Sequence, residues 1–292
     1  MKLILAMIPA FLWGTTYAVT QEALTDWPAL LLGALRALPA GLLLLALKPS
    51  LPTKAQWRPI VIIGCINIGV FFSLIFLMAL RLPSAVASVG MVSVPVFAMI
   101  IYWVTYRQKP SVFKLICGFA LVAFAWTLFN PSSMTLDPIG MLAMFGAISC
   151  IIIGSLLTQA LGKSMHWYGV VTWQLIVGGI GLSLAALVQY FIQPHAFASI
   201  TQVSLTNVIG LTWIIVLNTA LAYALYVWLL QRMSVVDFTF AGVANPIAGV
   251  LFGWLLLGET FQLSQYALMA AMVIFSMLPQ VMVKIQQIRT AQ

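Results

Sequence analysis

The sequence predicts an all-α membrane protein in which ten transmembrane helices form two inverted five-helix repeats. Of its 292 residues, 63% are hydrophobic and only 6% are charged, whereas about 25% of the residues of a soluble domain are charged. So few charges cannot cover the surface of a water-soluble globule, and so much apolar side chain excludes disorder. Long apolar runs between the charged residues and a repeated pattern of uncommon residues complete the prediction.

The apolar runs have the length of membrane-spanning helices. A helix needs about 20 apolar residues to cross a bilayer, and these runs do not alternate between apolar and polar residues as barrel strands do. The uncharged stretch between Lys163 and Arg232 is too long for one crossing, and Gln193-Pro194-His195 divides it. The ten predicted spans are residues 2–22, 27–47, 59–80, 84–106, 112–129, 138–161, 167–190, 205–230, 235–257 and 263–283.

Positively charged residues sort to one side of the membrane in this arrangement. Every Lys and Arg in a loop or at the end of a span falls on the side of the N-terminus, with Arg81 as the exception. Cytoplasmic loops carry such an excess, so both termini are predicted to be cytoplasmic, with the protein in the cell inner (plasma) membrane. The basic residues are scattered between apolar runs, which argues against nucleic-acid binding.

An internal repeat appears when the chain is aligned with itself at an offset of 151, which pairs residues 60–128 with residues 211–279. The shift moves the third to fifth spans onto the eighth to tenth, so the predicted units are residues 1–137 and 138–292. Because five helices are an odd number, the second unit enters the membrane from the opposite side. Inverted repeats are typical of secondary transporters, whose substrate site lies near the midplane between the halves. The uncommon residues that match are Asn67 with Asn218, Arg81 with Arg232, Pro95 with Pro246, and Trp103 with Trp254.

Arg36 is the charged residue that lies well inside a predicted span, about 12 Å from the nearer end at about 1.5 Å per residue. Facing lipid would cost several kcal/mol, so the side chain must face a cavity or a partner. A fixed positive charge suits a carboxylate or another anionic group of a substrate. The alternative is a structural role, in which Arg36 snorkels to the far interface or pairs with Glu22 or Asp26.

Pro95 and Pro246 lie near the middle of the fourth and ninth spans and are predicted to act as hinges. Each removes a backbone donor and displaces the carbonyl four residues earlier, at Met91 and Gly242. Freed backbone groups in a membrane must face protein or a wet cavity. A packing kink without a functional role is the alternative.

Other polar and aromatic side chains are predicted at membrane depth. Asn67 and Asn218 lie near the middle of the third and eighth spans, where hydrogen bonding between helices is the alternative to a role in a cavity. The remaining members are more typical of packing when taken singly, but together they predict an amphipathic cavity with a few polar groups that orient a ligand. The predicted substrate cavity comprises Trp13, Thr16, Tyr17, Arg36, Asn67, Phe71, Trp173, Gln174, Asn218, Tyr223, Tyr226 and Asn245.

Several function classes lack the residues that they need. No Asp or Glu lies at mid-depth in a span, which argues against carboxylate-based proton or sodium coupling, with Glu22 at a span end as the nearest exception. No Gly-rich phosphate loop, HExxH motif or Ser/His/Asp set is present, so neither ATP-driven transport nor enzymatic activity is expected. The three cysteines are scattered inside apolar runs, so no metal or cofactor is predicted. The expected partners are a small-molecule metabolite and the lipid bilayer, with the chain acting as a monomer.

In order and spacing, these residues resemble the EamA family of the drug/metabolite transporter superfamily. Residues 9–17 (PAFLWGTTY) resemble the family's opening segment with its Trp-Gly pair, and Arg36 resembles an arginine near the start of its second span. Residues 81–95 and 232–259 resemble the paired pattern of its fourth and ninth spans. The resemblance covers nearly the whole chain as two five-helix units. It implies an inner-membrane exporter of amino acids or other small metabolites, with a central cavity between the halves.

Two departures from the family pattern distinguish the halves. Arg107-Gln108-Lys109 stands where a glycine-glutamate pair is common, and Gln174 stands at the rough counterpart of Arg36. The halves are therefore not electrostatically equivalent, which argues against a fully symmetric mechanism.

Three functions remain open on the sequence. The first is an exporter of small metabolites such as amino acids by alternating access, for which Arg36→Gln should weaken transport of carboxylates. The second is an exporter of aromatic or apolar drug-like compounds, for which Trp13 and Tyr17 should matter and Arg36 should not. The third is a membrane-bound sensor or assembly subunit, recognised by a stable partner and no flux in vesicles.

Overall fold

The computed structural model describes residues 2–83, 86–87, 90–129, 137–260 and 262–290, and these residues contain helices and no β-strand. A 3₁₀ helix, Pro194–Thr201, connects the seventh and eighth of its principal helices. In chain order the principal helices are α1 (Lys2–Ala23), α2 (Ala29–Leu47), α3 (Lys54–Arg81), α4 (Met91–Tyr106), α5 (Val112–Phe129), α6 (Pro138–Leu161), α7 (Trp167–Ile192), α8 (Leu205–Leu230), α9 (Val235–Leu257) and α10 (Leu263–Thr290).

In the described part of the chain, large apolar side chains lie on the outer surface and polar side chains lie inside, which is the reverse of a soluble protein. Seven of the described helices (α1, α2, α3 and α6 to α9) are long and apolar enough to cross a bilayer, while α4, α5 and α10 contain shorter apolar stretches. Large apolar side chains face outward, as Leu184, Leu187 and Phe191 do on α7. The interior instead buries polar groups such as Arg36 and Asn218. This distribution is stable only where the outer face meets lipid, so the chain is a multi-pass membrane protein.

Local capping sets the ends of several helices. Helix α3 begins at Lys54, earlier than predicted, because the Gln56 side chain accepts a hydrogen bond from the backbone N–H of Thr53 at 2.9 Å. The spacing of Ser234 and Asp237 predicts a capping box at the start of α9, and the structure shows its N-cap bond: the Asp237 N–H donates to Ser234 Oγ at 3.0 Å. Asp237 also pairs with Lys114 Nζ of α5 at 2.7 Å, a contact that the sequence did not indicate.

Four of the helices contain a segment that is not regular α-helix. In α3 residues Gly64–Val70 are π-helical, and in α8 residues Trp213–Leu221 are π-helical. Helix α4 begins with the 3₁₀ turn Met91–Ser93, and α9 is interrupted by the 3₁₀ turn Ala241–Val243. The turns stand directly before Pro95 and Pro246, whose missing N–H groups and ring contacts prevent regular α-helical bonding there. The π-helical segments were not predicted, and such segments recur at functional sites.

Small residues allow α2 and α7 to approach at backbone distance. A Cβ atom added to Gly179 of α7 would lie 2.6 Å from the backbone nitrogen of Leu38 on α2. A Cβ added to Gly41 would lie 2.9 Å from the backbone nitrogen of Ile176. Within lipid, where the hydrophobic effect does not drive helices together, close packing of this kind is a principal source of association.

Arg107 ends α4 in the left-handed conformation, with φ 56°, and Gly258 ends α9 with φ 66°. Placing a residue other than glycine in the left-handed conformation costs about 1–2 kcal/mol. Glycine avoids this cost, but its larger loss of chain entropy on folding offsets about 0.5–1 kcal/mol of the gain. We therefore expect Arg107→Gly to stabilise the folded protein by about 0.5–1 kcal/mol, measured by thermal unfolding in detergent. Lys109→Gly, in the exposed loop that follows, is the control and should give no gain.

Asp137 caps the start of α6 and pairs with Arg81 at 2.9 Å. The backbone N–H of Gly140, and then the Arg81 guanidinium, hold the pKa of the Asp137 carboxyl below its ordinary value. A lowered pKa stabilises the fold above the ordinary value of about 3.9 and stops doing so as the pH falls through the lowered pKa. Asp137→Asn, which keeps an acceptor and loses the charge, should melt below the wild type at pH 7. The two melting temperatures should converge in acid, and a constant difference down to the acid limit would contradict this assignment.

Candidate functional site

A central cavity lies among α1, α2, α3, α4, α6 and α9. The space open to the centre of a water molecule is about 60 Å³, which holds roughly four to six waters at about 10–15 Å³ each. Six of the twelve predicted cavity residues line it: Trp13, Thr16, Tyr17, Arg36, Phe71 and Asn245. The wall is completed by Ala10, Ile75, Met91, Val94, Ile151, Ile152, Ser155, Phe238, Thr239 and Gly242.

Arg36 enters the cavity from α2 and is 2% exposed. Its Nε donates to Thr219 Oγ1 at 2.8 Å, and its Nη2 donates to the carbonyl oxygen of Asn218 at 3.2 Å. The guanidinium carbon lies 4.2 Å from the centre of the Phe72 ring, a cation–π contact. The structure therefore holds Arg36 against α8 and α3, and neither Glu22 nor Asp26 forms an ion pair with it among the described residues.

Asn218 joins the π-helical part of α8 to α1. Its carbonyl oxygen accepts hydrogen bonds from Arg36 and from the indole N–H of Trp13 at 3.0 Å. Its side-chain amide donates to Thr16 Oγ1 at 2.8 Å and approaches Thr15 Oγ1 at 3.3 Å. This carbonyl belongs to the π-helical segment Trp213–Leu221, and such segments recur at functional sites. Asn218 thus lies directly behind the cavity and fixes three residues that line it, Trp13, Thr16 and Arg36, without lining it itself.

Asn67 occupies the equivalent π-helical segment of α3 and forms the other buried polar pair. Its amide donates to Gln174 Oε1 of α7 at 3.1 Å, and both residues are fully buried. Nearby, the hydroxyls of Ser155 and Tyr226 share a hydrogen bond of 2.6 Å. Ser155 lines the cavity, whereas Asn67, Gln174 and Tyr226 form a layer behind it. Hydrogen bonding between helices, the alternative role of these asparagines, is therefore what the structure shows most directly.

An aromatic cluster supports one wall. The Trp13 ring lies 5.2 Å from each of the Tyr223 and Tyr226 ring centres. Phe238, 6.4 Å from Trp13, continues the cluster to α9. Tyr223 and Tyr226 are fully buried behind Trp13, so they position the indole and do not themselves form the cavity surface.

The helix breaks before both prolines open onto this cavity. Met91 and Gly242, whose carbonyls lose their regular partners to Pro95 and Pro246, both line it. The prolines themselves are buried one turn further along α4 and α9. The Met91 and Gly242 carbonyls accept hydrogen bonds from the nearby backbone N–H groups of Val94 and Ala244, so protein groups satisfy both.

A family comparison decides the class of this protein. The model of the EamA-like transporter family matches residues 1–130 and again residues 138–278. The chain belongs to the EamA-like transporter family. The resemblance seen in the sequence to this family of the drug/metabolite transporter superfamily is thereby confirmed, and the protein is a multi-pass membrane transporter.

Curated relatives and a solved structure agree with this family. The chain is 30% identical over 268 residues to Protein PecM of Dickeya dadantii (strain 3937), covering 91% of this chain and 87% of PecM. It is 25% identical over 263 residues to the "Uncharacterized inner membrane transporter YedA" of Escherichia coli (strain K12), covering 85% of this chain and 80% of YedA. A protein of known crystal structure matches with a TM-score of 0.72 over 95% of this chain and 97% of its own, at 13% identity, which shows a shared fold alone.

One predicted residue of this EamA-like transporter lies away from the cavity. The indole N–H of Trp173 donates to the carbonyl oxygen of Ser50 at 2.6 Å, and its ring meets Trp57 edge-on at 5.0 Å. Trp173 therefore fastens α7 to the segment before α3. Trp173 is adjacent to Gln174 in sequence, but neighbouring side chains on a helix point about 100° apart. Gln174 therefore reaches Asn67, and Trp173 does not.

The aliphatic residues of the transporter's cavity wall were missed by sequence reasoning. Ile75 follows Phe71 by four residues and shares its helix face, which was a usable signal. Ile151, Ile152 and Val94 carried none, because an apolar residue inside an apolar span is the same in sequence whether it faces lipid, another helix or a cavity.

Among the residues that the structure describes, Arg36 is the one charged side chain that lines the cavity. Within the described ranges, no group of three His, Cys, Asp or Glu residues is placed to hold a metal ion.

Proposed function

We propose that this EamA-like transporter is a secondary carrier that exports small metabolites, amino acids or related compounds, from the cytoplasm across the inner membrane. The carrier works by alternating access around the central cavity. Two inverted five-helix units, residues 1–137 and 138–292, rock against each other, and α4 and α9 bend at Pro95 and Pro246. Arg36 binds the carboxylate of the substrate, and the apolar wall accommodates its body.

The observation that carries the proposal is the position of Arg36. It is the charged group in a cavity whose wall is drawn from both units, from α1 to α4 on one side and from α6 and α9 on the other. A charged residue inside a membrane protein that faces a cavity typically marks a substrate pathway. The two breaks at Met91 and Gly242 place backbone that is not regular α-helix at the same cavity.

Local irregularities support the inverted repeat. The offset of 151 carries the π-helix Gly64–Val70 into the π-helix Trp213–Leu221. It carries the 3₁₀ turn Met91–Ser93 to within one residue of Ala241–Val243. It also carries Arg107 onto Gly258, the two left-handed helix ends of the described chain. Unrelated helical segments would not repeat three different irregularities in the same order, and two matches to one family model support the same division.

The distribution of basic residues supports the orientation. With ten spans, the basic loops and both termini lie on the cytoplasmic side, and Asp137, Glu22 and Glu259 lie on the opposite side. The name of YedA supports the inner membrane as the location.

Proteoliposomes that contain only this protein test the proposal. They are loaded with a mixed cytosolic metabolite extract, and the solutes that leave are followed by mass spectrometry, with and without an imposed pH gradient. Selective efflux of a few solutes above the leak of empty liposomes is the expected result. No efflux from vesicles that hold correctly folded protein would overturn transport and favour the sensor or subunit hypothesis.

A substitution of Trp13 distinguishes the metabolite exporter from the alternative, an exporter of aromatic or apolar drug-like compounds. Its indole N–H is engaged by Asn218, so only the ring surface faces the cavity. Trp13→Leu keeps an apolar wall, and for a carboxylate substrate we expect at least a few per cent of wild-type flux to remain. If Trp13→Leu abolishes flux and loss of Arg36 leaves it unchanged, the drug-like alternative replaces our proposal.

A further inference from the structure

The positive charge of Arg36 has no carboxylate partner in the protein. Arginine stays protonated at any physiological pH. Its two protein acceptors, Thr219 Oγ1 and the Asn218 carbonyl oxygen, are neutral. Among the described residues, Nη1 has no acceptor at all, although the side chain is 2% exposed and lines the cavity. A buried charge in this condition calls for a counter-charge from a ligand.

The five acidic residues of the chain are placed elsewhere. Asp137 pairs with Arg81 at one end of α6, and Asp237 pairs with Lys114 at the start of α9. Glu22 and Asp26 are exposed near the end of α1, and Glu259 follows the end of α9. None of them lines the cavity. The cavity therefore carries one fixed positive charge and no protein group that could neutralise a second positive charge.

We propose that the preferred substrate is a small organic monoanion: a carboxylate with an apolar body and without an ammonium group. This inference rests on the proposed function and narrows its substrate class. The planar guanidinium offers a carboxylate two parallel hydrogen bonds, with Nη1 as the unoccupied donor. The apolar part of the wall, which includes Ile75, Val94, Ile151 and Phe238, matches an apolar body. The free space corresponds to a body of roughly 120–180 Å³, at about 30 Å³ for each water displaced.

An amino acid fits this cavity less well than the corresponding acid without nitrogen charge. Its ammonium group would lose its water in a space whose polar wall groups, such as Thr16, Tyr17 and Asn245, are neutral. Desolvating an ammonium group without an anionic partner is costly, and the like charge of Arg36 adds to that cost. Asn245 Oδ1, a buried acceptor without a hydrogen-bond partner, offers the ammonium group one neutral contact. A neutral acceptor does not replace a counter-charge, so removal of the ammonium group should raise transport.

The direction of transport follows from the charge of the substrate. A carrier that moves one anion without a compensating ion moves net charge across the membrane. The negative potential of the cytoplasm then drives the anion outward, by about 50-fold in concentration for each 100 mV. Export of this kind needs no titratable carboxylate in the membrane, which agrees with the positions of the five acids.

Three probes with one branched carbon skeleton test the proposal in proteoliposomes of the intact protein. They are 4-methyl-2-oxopentanoate (an anion), leucine (a zwitterion) and leucinamide (a cation). Efflux is measured against empty liposomes, with and without a potassium diffusion potential that is negative inside. We expect the oxo acid to leave at least ten times faster than leucine and leucinamide not to move. The potential should accelerate efflux of the oxo acid and shift its final distribution by about 50-fold for each 100 mV.

Two variants provide a second test of the substrate preference. Arg36→Gln should remove the preference for the oxo acid, whereas Arg81→Gln, which removes an arginine at the end of α3, should keep it. The comparison of the three probes in the wild type stands even if Arg36→Gln does not fold. Leucine efflux equal to or faster than that of the oxo acid, or oxo acid efflux that ignores the potential, would overturn the inference. If metabolites leave from the mixed extract but none of these probes moves, the inference fails while the transporter remains; if nothing leaves in either assay, the proposed function fails.

Discussion

Arg36→Met should abolish transport of carboxylates while the folded protein stays as stable as the wild type or becomes more stable. Both acceptors of Arg36 keep a partner after its removal: Thr219 Oγ1 still donates to the Ile214 carbonyl oxygen at 2.8 Å, and the Asn218 carbonyl still accepts from Trp13 at 3.0 Å. No buried group is left unsatisfied, and replacement of a buried charge by an apolar side chain of similar length is often neutral or stabilising.

Loss of a buried charged partner costs a ligand about 2–5 kcal/mol, which is a fall of roughly 30-fold or more in transport at limiting substrate. Flux in proteoliposomes and thermal unfolding in detergent are measured on the same preparation. Arg58→Met, at an exposed position on α3, is the control and should change neither quantity. A lower melting temperature for Arg36→Met would show instead that the arginine serves mainly to hold α2 against α8.

Gly14→Ala should destabilise the transporter and strongly reduce its transport activity. A Cβ atom at position 14 would overlap with the backbone carbonyl oxygen of Asn245 on α9 and lie 2.8 Å from Ala248 Cβ. Because backbone atoms cannot rotate away, α1 and α9 must separate. Overpacking of this kind costs about 1–3 kcal/mol, against which alanine gains about 1 kcal/mol in helix propensity.

Transport should fall more than stability does, because Trp13 and Asn245 on either side of this contact both line the cavity. A displacement of about 1 Å at a binding site is enough for a loss of roughly tenfold or more. Gly181→Ala is the matched control: position 181 also lies within a helix, and a Cβ there would meet no atom within 4 Å. It should melt at or above the wild-type temperature with normal flux. Equal behaviour of the two variants would rule out a close contact between α1 and α9 at Gly14.

The positions of the helices were accessible from the sequence, but their internal irregularities were only partly so. Pro95 and Pro246 indicated two breaks, because proline cannot donate to a helix. The π-helical segments around Asn67 and Asn218 carry no such marker. In α8 the Asn218 carbonyl accepts hydrogen bonds from Trp13 and Arg36, which lie on other helices and far away in the sequence, so these contacts could not be read from the segment itself.

The residues of the cavity were likewise only partly predictable from the sequence. Arg36 and Asn245 were predicted because a polar group at membrane depth must be satisfied by protein or ligand. The structure separates this polar set into residues that line the cavity, such as Thr16, and residues that support it from behind, such as Gln174 and Asn218. Sequence alone could not make that separation, since both kinds are buried and polar.

The sequence by itself identified this chain as a helical membrane protein that resembles the EamA family, and it predicted that the basic residues favour one side and that one arginine lies at membrane depth. These properties follow from composition, run length and the order of uncommon residues, which are local quantities. Only the tertiary structure decided which apolar residues form the cavity wall, that Arg36 has no carboxylate partner, and that Trp173 lies away from it. The physical reason is that lipid and protein interior are equally apolar, so the rotation of each helix about its axis is set by its contacts with the others.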